Sequence, residues 1–91
     1  MRRVRITRRR IPLDRSDAYH AAWRDLRGLA GDRGVRAWLF RRAGRDDWFV
    51  EFLEWSGAPL LDRGPVHDAL AALDELAPGR TEECEEVETT E

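Results

Sequence analysis

The chain of 91 residues contains no lysine, asparagine or glutamine, and arginine supplies all 16 of its basic side chains. The absence of asparagine and glutamine excludes any mechanism that depends on a side-chain amide. The formal net charge is −2 at pH 7, so the molecule as a whole has no attraction for polyanions. The composition therefore weighs against nucleic-acid binding.

Cysteine and histidine are nearly absent as well. The one cysteine, Cys84, cannot form an intrachain disulfide, which fits the reducing cytoplasm, where we expect the protein. The two histidines, His20 and His67, stand far from each other and from Cys84, without the ligand spacing of a zinc site. We predict neither a metal nor another cofactor.

Long apolar runs are also missing. No apolar stretch approaches the roughly 20 residues that a membrane-spanning helix needs, and we predict no membrane association. The basic first residues are followed by Pro12 and Asp14, not by the apolar segment of a signal peptide. We therefore expect no targeting signal at this end of the sequence.

The sequence does contain a regular alternation of strand and helix patterns. Apolar residues with a period of two or in short β-rich runs predict strands, and apolar stripes at helical spacing predict helices. The predicted strands cover residues 2–11, 35–42 and 48–55, and the predicted helices cover residues 16–30 and 65–77. Asp14 or Ser16 can cap the first helix, and glycine and proline in residues 56–64 predict a loop.

Residues 81–89 allow two interpretations, an edge strand or a disordered tail, because β-compatible residues alternate there with glutamates. If this segment folds, the element order is β-α-β-β-α-β. That order predicts a single α+β domain of ferredoxin-like fold over residues 1–91. Its antiparallel sheet has four strands in the order 4-1-3-2, with two helices on one face, and the final residues are either strand or tail.

Two charge runs of opposite sign lie on the first and last predicted strands. Residues 1–10 (MRRVRITRRR) contain six arginines and no acid, and residues 82–91 contain six glutamates and no base. These strands are antiparallel neighbours in the predicted sheet, so the charges face each other. We interpret the arginine run as half of a solvated, internally neutralised strand pair, not as a nucleic-acid-binding arm.

The charge pattern also selects a register for this strand pair. If the numbers of paired residues add up to 88, opposite charges meet on one face and small apolar groups on the other. The pairs are Arg3–Glu85, Arg5–Glu83 and Val4–Cys84. Each cross-strand pair of this kind is worth about 0.2–1 kcal/mol.

The hairpin formed by the middle strands is apolar on both faces, but two helices can cover only one face of the sheet. The other face then exposes an aromatic patch, which soluble monomers seldom tolerate. We therefore predict a homodimer with a two-fold contact between sheet faces. The predicted interface residues are Trp38, Phe40, Val50 and Phe52.

With this topology and an aromatic third strand that ends in Glu54-Trp55-Ser56 before a loop and a helix, the chain resembles the dimeric α/β barrel superfamily. Within it, the chain is similar to the antibiotic-biosynthesis-monooxygenase-like group, and the resemblance covers nearly the whole chain as topology. It implies dimers with facing sheets and a small-molecule pocket between sheet and helices. Some members are cofactor-free oxygenases of aromatic polyketides, and others degrade haem.

This sequence departs from that family where the chemistry would lie. The oxygenases and the haem-degrading relatives commonly use an asparagine in the pocket, and this chain has none. His67, near the start of the second helix, is the one candidate for the haem ligand of the haem-degrading branch, without a matching motif. The resemblance therefore predicts the fold and the dimer more than a reaction, and no catalytic residue is identified.

Aromatic residues supply the candidate binding site for a small apolar or aromatic ligand. Tyr19 with Trp23, or Trp38 with Trp55, can line a flat apolar pocket. We take Tyr19, Trp23, Trp55 and His67 as the candidate pocket residues. The alternative is that the aromatic residues fill the core and the dimer interface, which describes a non-catalytic dimerisation or protein-interaction module.

A third hypothesis is RNA binding, because RRM domains share the βαββαβ order. Residues 45–52 (RDDWFVEF) match part of the RRM motif of the third strand, but Asp47 stands where an aromatic residue stacks on a base. An acidic residue there opposes RNA in both stacking and charge. We predict no nucleic-acid partner.

Overall fold

The computed structural model describes residues 1–57, 61 and 63–88. It contains four strands, two α-helices and one short 3₁₀ turn. They are β1 (Arg2–Arg10), the 3₁₀ turn (Leu13–Arg15), α1 (Ser16–Gly31), β2 (Arg36–Arg41), β3 (Trp48–Ser56), α2 (Gly64–Leu76) and β4 (Gly79–Glu85). The βαββαβ order is confirmed. Part of the predicted loop 56–64 and the end of the segment 81–89 lie outside the described residues.

The sheet confirms the predicted topology. Its strand order is β2-β3-β1-β4, and every neighbouring pair is antiparallel. Both helices pack on the same side, because side chains from both share one buried core with the inward-facing residues of β2 and β3. Among the described residues, no helix is long and apolar enough to cross a membrane.

The β1–β4 register is the one that the charges predict. Arg3 pairs with Glu85, Val4 with Cys84 and Arg5 with Glu83. A guanidinium nitrogen of Arg5 lies 2.7 Å from the Glu83 carboxylate, and the corresponding Arg3–Glu85 distance is 3.0 Å. The segment that allowed two interpretations is therefore a strand over Gly79–Glu85.

Reversing the charges on one side of this pair tests how far they set the register. We expect Arg3→Glu with Arg5→Glu to lower the free energy of unfolding by about 1–2 kcal/mol, because two attractive exposed pairs become repulsive. Adding Glu83→Arg and Glu85→Arg should restore part of the loss in urea denaturation. If the fourfold variant is no more stable than the twofold one, the charges do not contribute through this pairing.

The predicted side-chain cap of α1 is wrong. Neither Asp14 nor Ser16 caps the helix, and no side chain makes a capping hydrogen bond at its N-terminus. The reason is that the 3₁₀ turn runs directly into α1, with the Ser16 N–H donating to the Leu13 carbonyl. Arg15, at the junction, donates instead to the Leu76 carbonyl at the end of α2, where a cation is favourable.

Candidate functional site

Charged residues lie within the apolar layer between the sheet and the helices. Arg9 of β1 and Glu51 of β3 are each 2 % exposed, on the sheet face that both helices cover. Side chains alternate along a strand, so Arg9 points inward with Thr7, while Arg8 and Arg10 point to the other face. The prediction of a solvated arginine run is therefore wrong for Arg9.

Hydrogen bonds join these buried groups into one network. The Arg9 Nε donates to Glu51 Oε2 at 2.8 Å, and its Nη1 donates to Asp74 Oδ1 at 2.7 Å and to the Ala77 carbonyl at 2.8 Å. The Tyr19 hydroxyl donates to the same Glu51 oxygen at 2.6 Å. We call Arg9, Glu51 and Tyr19, together with the exposed Asp74 at their edge, the buried polar cluster. It links two strands to both helices.

The close approach of β4 to this cluster requires a glycine. A Cβ atom on Gly79 would lie 2.6 Å from Thr7 Cγ2 and 3.1 Å from Arg9 Nη1. Thr7 is buried and its hydroxyl is hydrogen-bonded to Thr81, so its methyl group cannot move aside. Gly79 therefore lets the first residue of β4 pass directly over the Arg9 side chain.

The surroundings shift the pKa of two donors in the cluster, Arg9 and Tyr19. Burial lowers the pKa of Arg9, but attraction and hydrogen bonds from Glu51 and Asp74 outweigh it, and the net pKa rises. Burial, then the negative charge of Glu51, raises the pKa of Tyr19 far above its ordinary value. The layer therefore contains a charged guanidinium and a neutral phenol hydroxyl as donors around one carboxylate.

Trp55 lies on the same inward face of β3 as Glu51 and is 5 % exposed. Its indole Nε1–H is buried and has no acceptor among the described residues. Buried donors are nearly always paired, and an unpaired one costs about 1–3 kcal/mol. Within the described part of the chain, this N–H is therefore a buried donor without a partner.

The structure places three of the four candidate pocket residues in one layer. Tyr19, Trp23 and Trp55 all belong to the buried core. His67 does not join them: half of its side chain is exposed, and its Nδ1 lies 3.5 Å from Asp68. His20 is an exposed residue, as predicted, with its ring edge-on to Phe49. Within residues 1–57, 61 and 63–88, no group of His, Cys, Asp and Glu has the arrangement of a metal site.

The pairing of Trp38 with Trp55 in one pocket is wrong. Trp38 pairs directly with Phe52 across β2 and β3, and Phe52 and Trp55 differ by an odd number of positions along β3. Strand alternation therefore puts Trp38 and Trp55 on opposite faces of the sheet.

The open face of the sheet carries the four predicted interface residues side by side. Trp38 is 39 % exposed and Phe40 is 54 % exposed, while Val50 and Phe52 are partly buried. Trp38 faces Phe52, and Phe40 faces Val50, in the β2–β3 register. The rings of Phe40 and Phe52 meet edge to face at 5.5 Å. We call these four residues the aromatic face.

Sequence reasoning missed Arg9 and Glu51. A signal for Glu51 was present, because it is the one charged residue among the inward positions of β3, between Phe49 and Leu53. For Arg9 the signal was weaker, since both faces of β1 carry arginines.

The strands and helices define a small α+β protein of ferredoxin-like βαββαβ fold, as the sequence predicted. No family model and no curated protein matches the chain. Among solved structures it is similar to SnoaB, a cofactor-independent oxygenase from Streptomyces nogalater, with a TM-score of 0.77 and 14% identity over 97% of this chain and 95% of that one. It is also similar to Rv0793 from Mycobacterium tuberculosis, with a TM-score of 0.79 and 17% identity over 100% of both chains.

A third similar structure is a candidate antibiotic biosynthesis monooxygenase from Deinococcus radiodurans. Its TM-score is 0.77 at 12% identity, over 98% of this chain and 96% of that one. The chain therefore has the fold of the antibiotic-biosynthesis-monooxygenase-like proteins. At these identities the likeness establishes the shared fold.

Proposed function

We propose that this protein is a homodimer that binds a small apolar or aromatic ligand between the helices and the sheet, and that it catalyses oxygenation of the cofactor-free monooxygenase type. The observation that carries the proposal is the buried Nε1–H of Trp55, which has no acceptor among the residues that the structure describes. A carbonyl or phenol oxygen on the ligand supplies the missing acceptor. The surrounding aromatic side chains supply contact area for a flat ring system.

A second polar feature lies on the same face of β3, at Glu51, four residues before Trp55. Arg9, Glu51 and Tyr19 hold one another in fixed positions through hydrogen bonds of 2.6–2.8 Å. They form a polar patch within a layer that is otherwise apolar. A ligand with one oxygen atom and a flat apolar body then has a preferred orientation.

The proposed reaction class needs no redox-active group from the protein, because the substrate supplies the electrons. One molecule of oxygen converts an activated aromatic methylene into a ketone. One oxygen atom enters the ketone, and the other leaves in water with the two hydrogens. The likeness in fold to a cofactor-independent oxygenase supports this class.

A titration with two matched ligands tests the binding site. We expect anthrone to quench the tryptophan fluorescence saturably and to bind more tightly than 9,10-dihydroanthracene, which lacks the carbonyl. In Trp55→Phe the preference for anthrone should shrink by roughly threefold to tenfold, the worth of one neutral hydrogen bond. Oxygen consumption with anthrone, above its rate of autoxidation, tests the reaction separately.

The opposite result favours a second candidate, a non-catalytic dimerisation or protein-interaction module with a filled core. The observation behind it is the dense packing around Tyr19 and Trp23, which are 0% and 5% exposed. If neither ligand quenches saturably, the site between helices and sheet does not bind flat aromatic molecules. The proposed function is then abandoned for the interaction module.

A further inference from the structure

Three arginines surround a cavity at one end of the open sheet face, on the opposite side of the sheet from the buried polar cluster. Its volume is about 480 Å³, and its walls are Arg8 of β1, Arg42 just beyond β2, Arg80 of β4, and Trp48 and Val50 of β3. We call it the arginine pocket. A volume of this size suits one small molecule.

The positive charge of the pocket is only partly neutralised. Arg8 lies 2.8 Å from Glu82, but neither Arg42 nor Arg80 has an acidic partner among the residues that the structure describes. Arg8 also stands directly opposite Arg80 in the β1–β4 register, and like charges in that position destabilise a strand pair. The pocket therefore concentrates positive charge that an anionic ligand would neutralise.

The residues that line the pocket indicate which chemical groups the ligand carries. Guanidinium groups bind carboxylates through two parallel hydrogen bonds, and Trp48 and Val50 provide an apolar wall. The Arg42 backbone N–H donates to the Trp48 carbonyl at 2.8 Å, which holds these two residues next to each other at the hairpin. We propose that the arginine pocket binds a small aromatic carboxylate, with its acid group on the arginines and its ring against Trp48.

This site is separate from the ligand site of the proposed function but borders the proposed dimer contact. Val50 belongs both to the arginine pocket and to the aromatic face. When two sheet faces come together, arginines at the edge lose water and need a counter-charge. A bound carboxylate meets that need within one chain, whereas the alternative occupant is an acidic side chain from a second copy.

Calorimetric titration of the full chain with 2-naphthoate and 2-naphthalenemethanol tests the proposal, because the two probes share a ring system and differ in charge. We expect the acid to bind one site per chain and at least about tenfold more tightly than the alcohol. Arg42→Gln and Arg80→Gln should each raise the Kd of the acid about tenfold. Arg24→Gln, a change of an exposed arginine on α1, should leave the Kd unchanged.

Several results overturn the proposal. One is equal affinity for the acid and the alcohol, and another is an unchanged Kd in both Arg42→Gln and Arg80→Gln. A third is that 2-naphthoate fails to bind the wild-type chain while the same variants weaken self-association, which assigns the pocket to the second copy. Anthrone binding and its dependence on Trp55 should be the same in these variants, so failure of this proposal and failure of the proposed function are distinguishable.

Discussion

Replacing Arg9 with methionine should lower the free energy of unfolding by about 3–5 kcal/mol, as expected when one partner of a buried ion pair is removed. The substitution leaves the Glu51 carboxylate in the apolar layer with the Tyr19 hydroxyl as its remaining donor. It also removes the donor to Asp74 and to the Ala77 carbonyl. Urea denaturation followed by circular dichroism measures the loss.

Two further variants show whether the loss comes from the unpaired charge. Arg9→Met combined with Glu51→Leu removes both buried charges and should recover part of the stability. The recovery is partial because the Tyr19 hydroxyl and the Ala77 carbonyl each still lose a hydrogen-bond partner. Arg10→Met changes the neighbouring exposed arginine and should have little effect. If Arg9→Met costs no more than Arg10→Met, Arg9 is not held in a buried ion pair in solution.

Replacing Phe40 with glutamate should convert a dimer into a monomer. We expect the wild-type chain to be a dimer by light scattering at micromolar concentration, with the aromatic face covered by that of the partner. A carboxylate at the centre of such a contact is desolvated without a partner, and we expect the dimer dissociation constant to rise at least about hundredfold. Trp38→Glu should act in the same direction.

Leu13 provides the matched control for this experiment. It is 91 % exposed on the 3₁₀ turn before α1, outside the aromatic face, so Leu13→Glu should leave the dimer intact. Phe40 is itself exposed in a single chain. The Phe40→Glu monomer should therefore still fold and unfold cooperatively in urea. A wild-type chain that remains a monodisperse monomer contradicts the proposed sheet-to-sheet contact.

The β1–β4 pairing could be predicted to the residue because two independent constraints agreed. Strand alternation limits which residues share a face, and the opposite charges on Arg5 and Glu83 select one register among those that remain. The same reasoning grouped the four residues of the aromatic face. Period-two patterns and charge are properties of the sequence itself, so both can be recognised without knowledge of the neighbouring elements.

The buried polar cluster could not be predicted in the same way. Arg9 is one of six arginines in the first ten residues, and its burial depends on α2 passing over it. Its third acceptor is a backbone carbonyl, at Ala77, which leaves no trace in the sequence. The prediction of a side-chain cap for α1 was wrong for a related reason. A backbone turn ahead of Ser16 takes the place of the cap.

The order of synthesis determines when the buried polar cluster can be completed. Arg9 is made first, Glu51 follows some forty residues later, and Asp74 and Ala77 follow later still. Until α2 exists, the Arg9 side chain lacks two of its three acceptors, at Asp74 and Ala77. We expect the pairing of β1 with β3 to form early, and the loss of water around Arg9 to follow when α2 packs on the sheet. The cluster thereby couples loss of water from the interior to the arrival of the second helix.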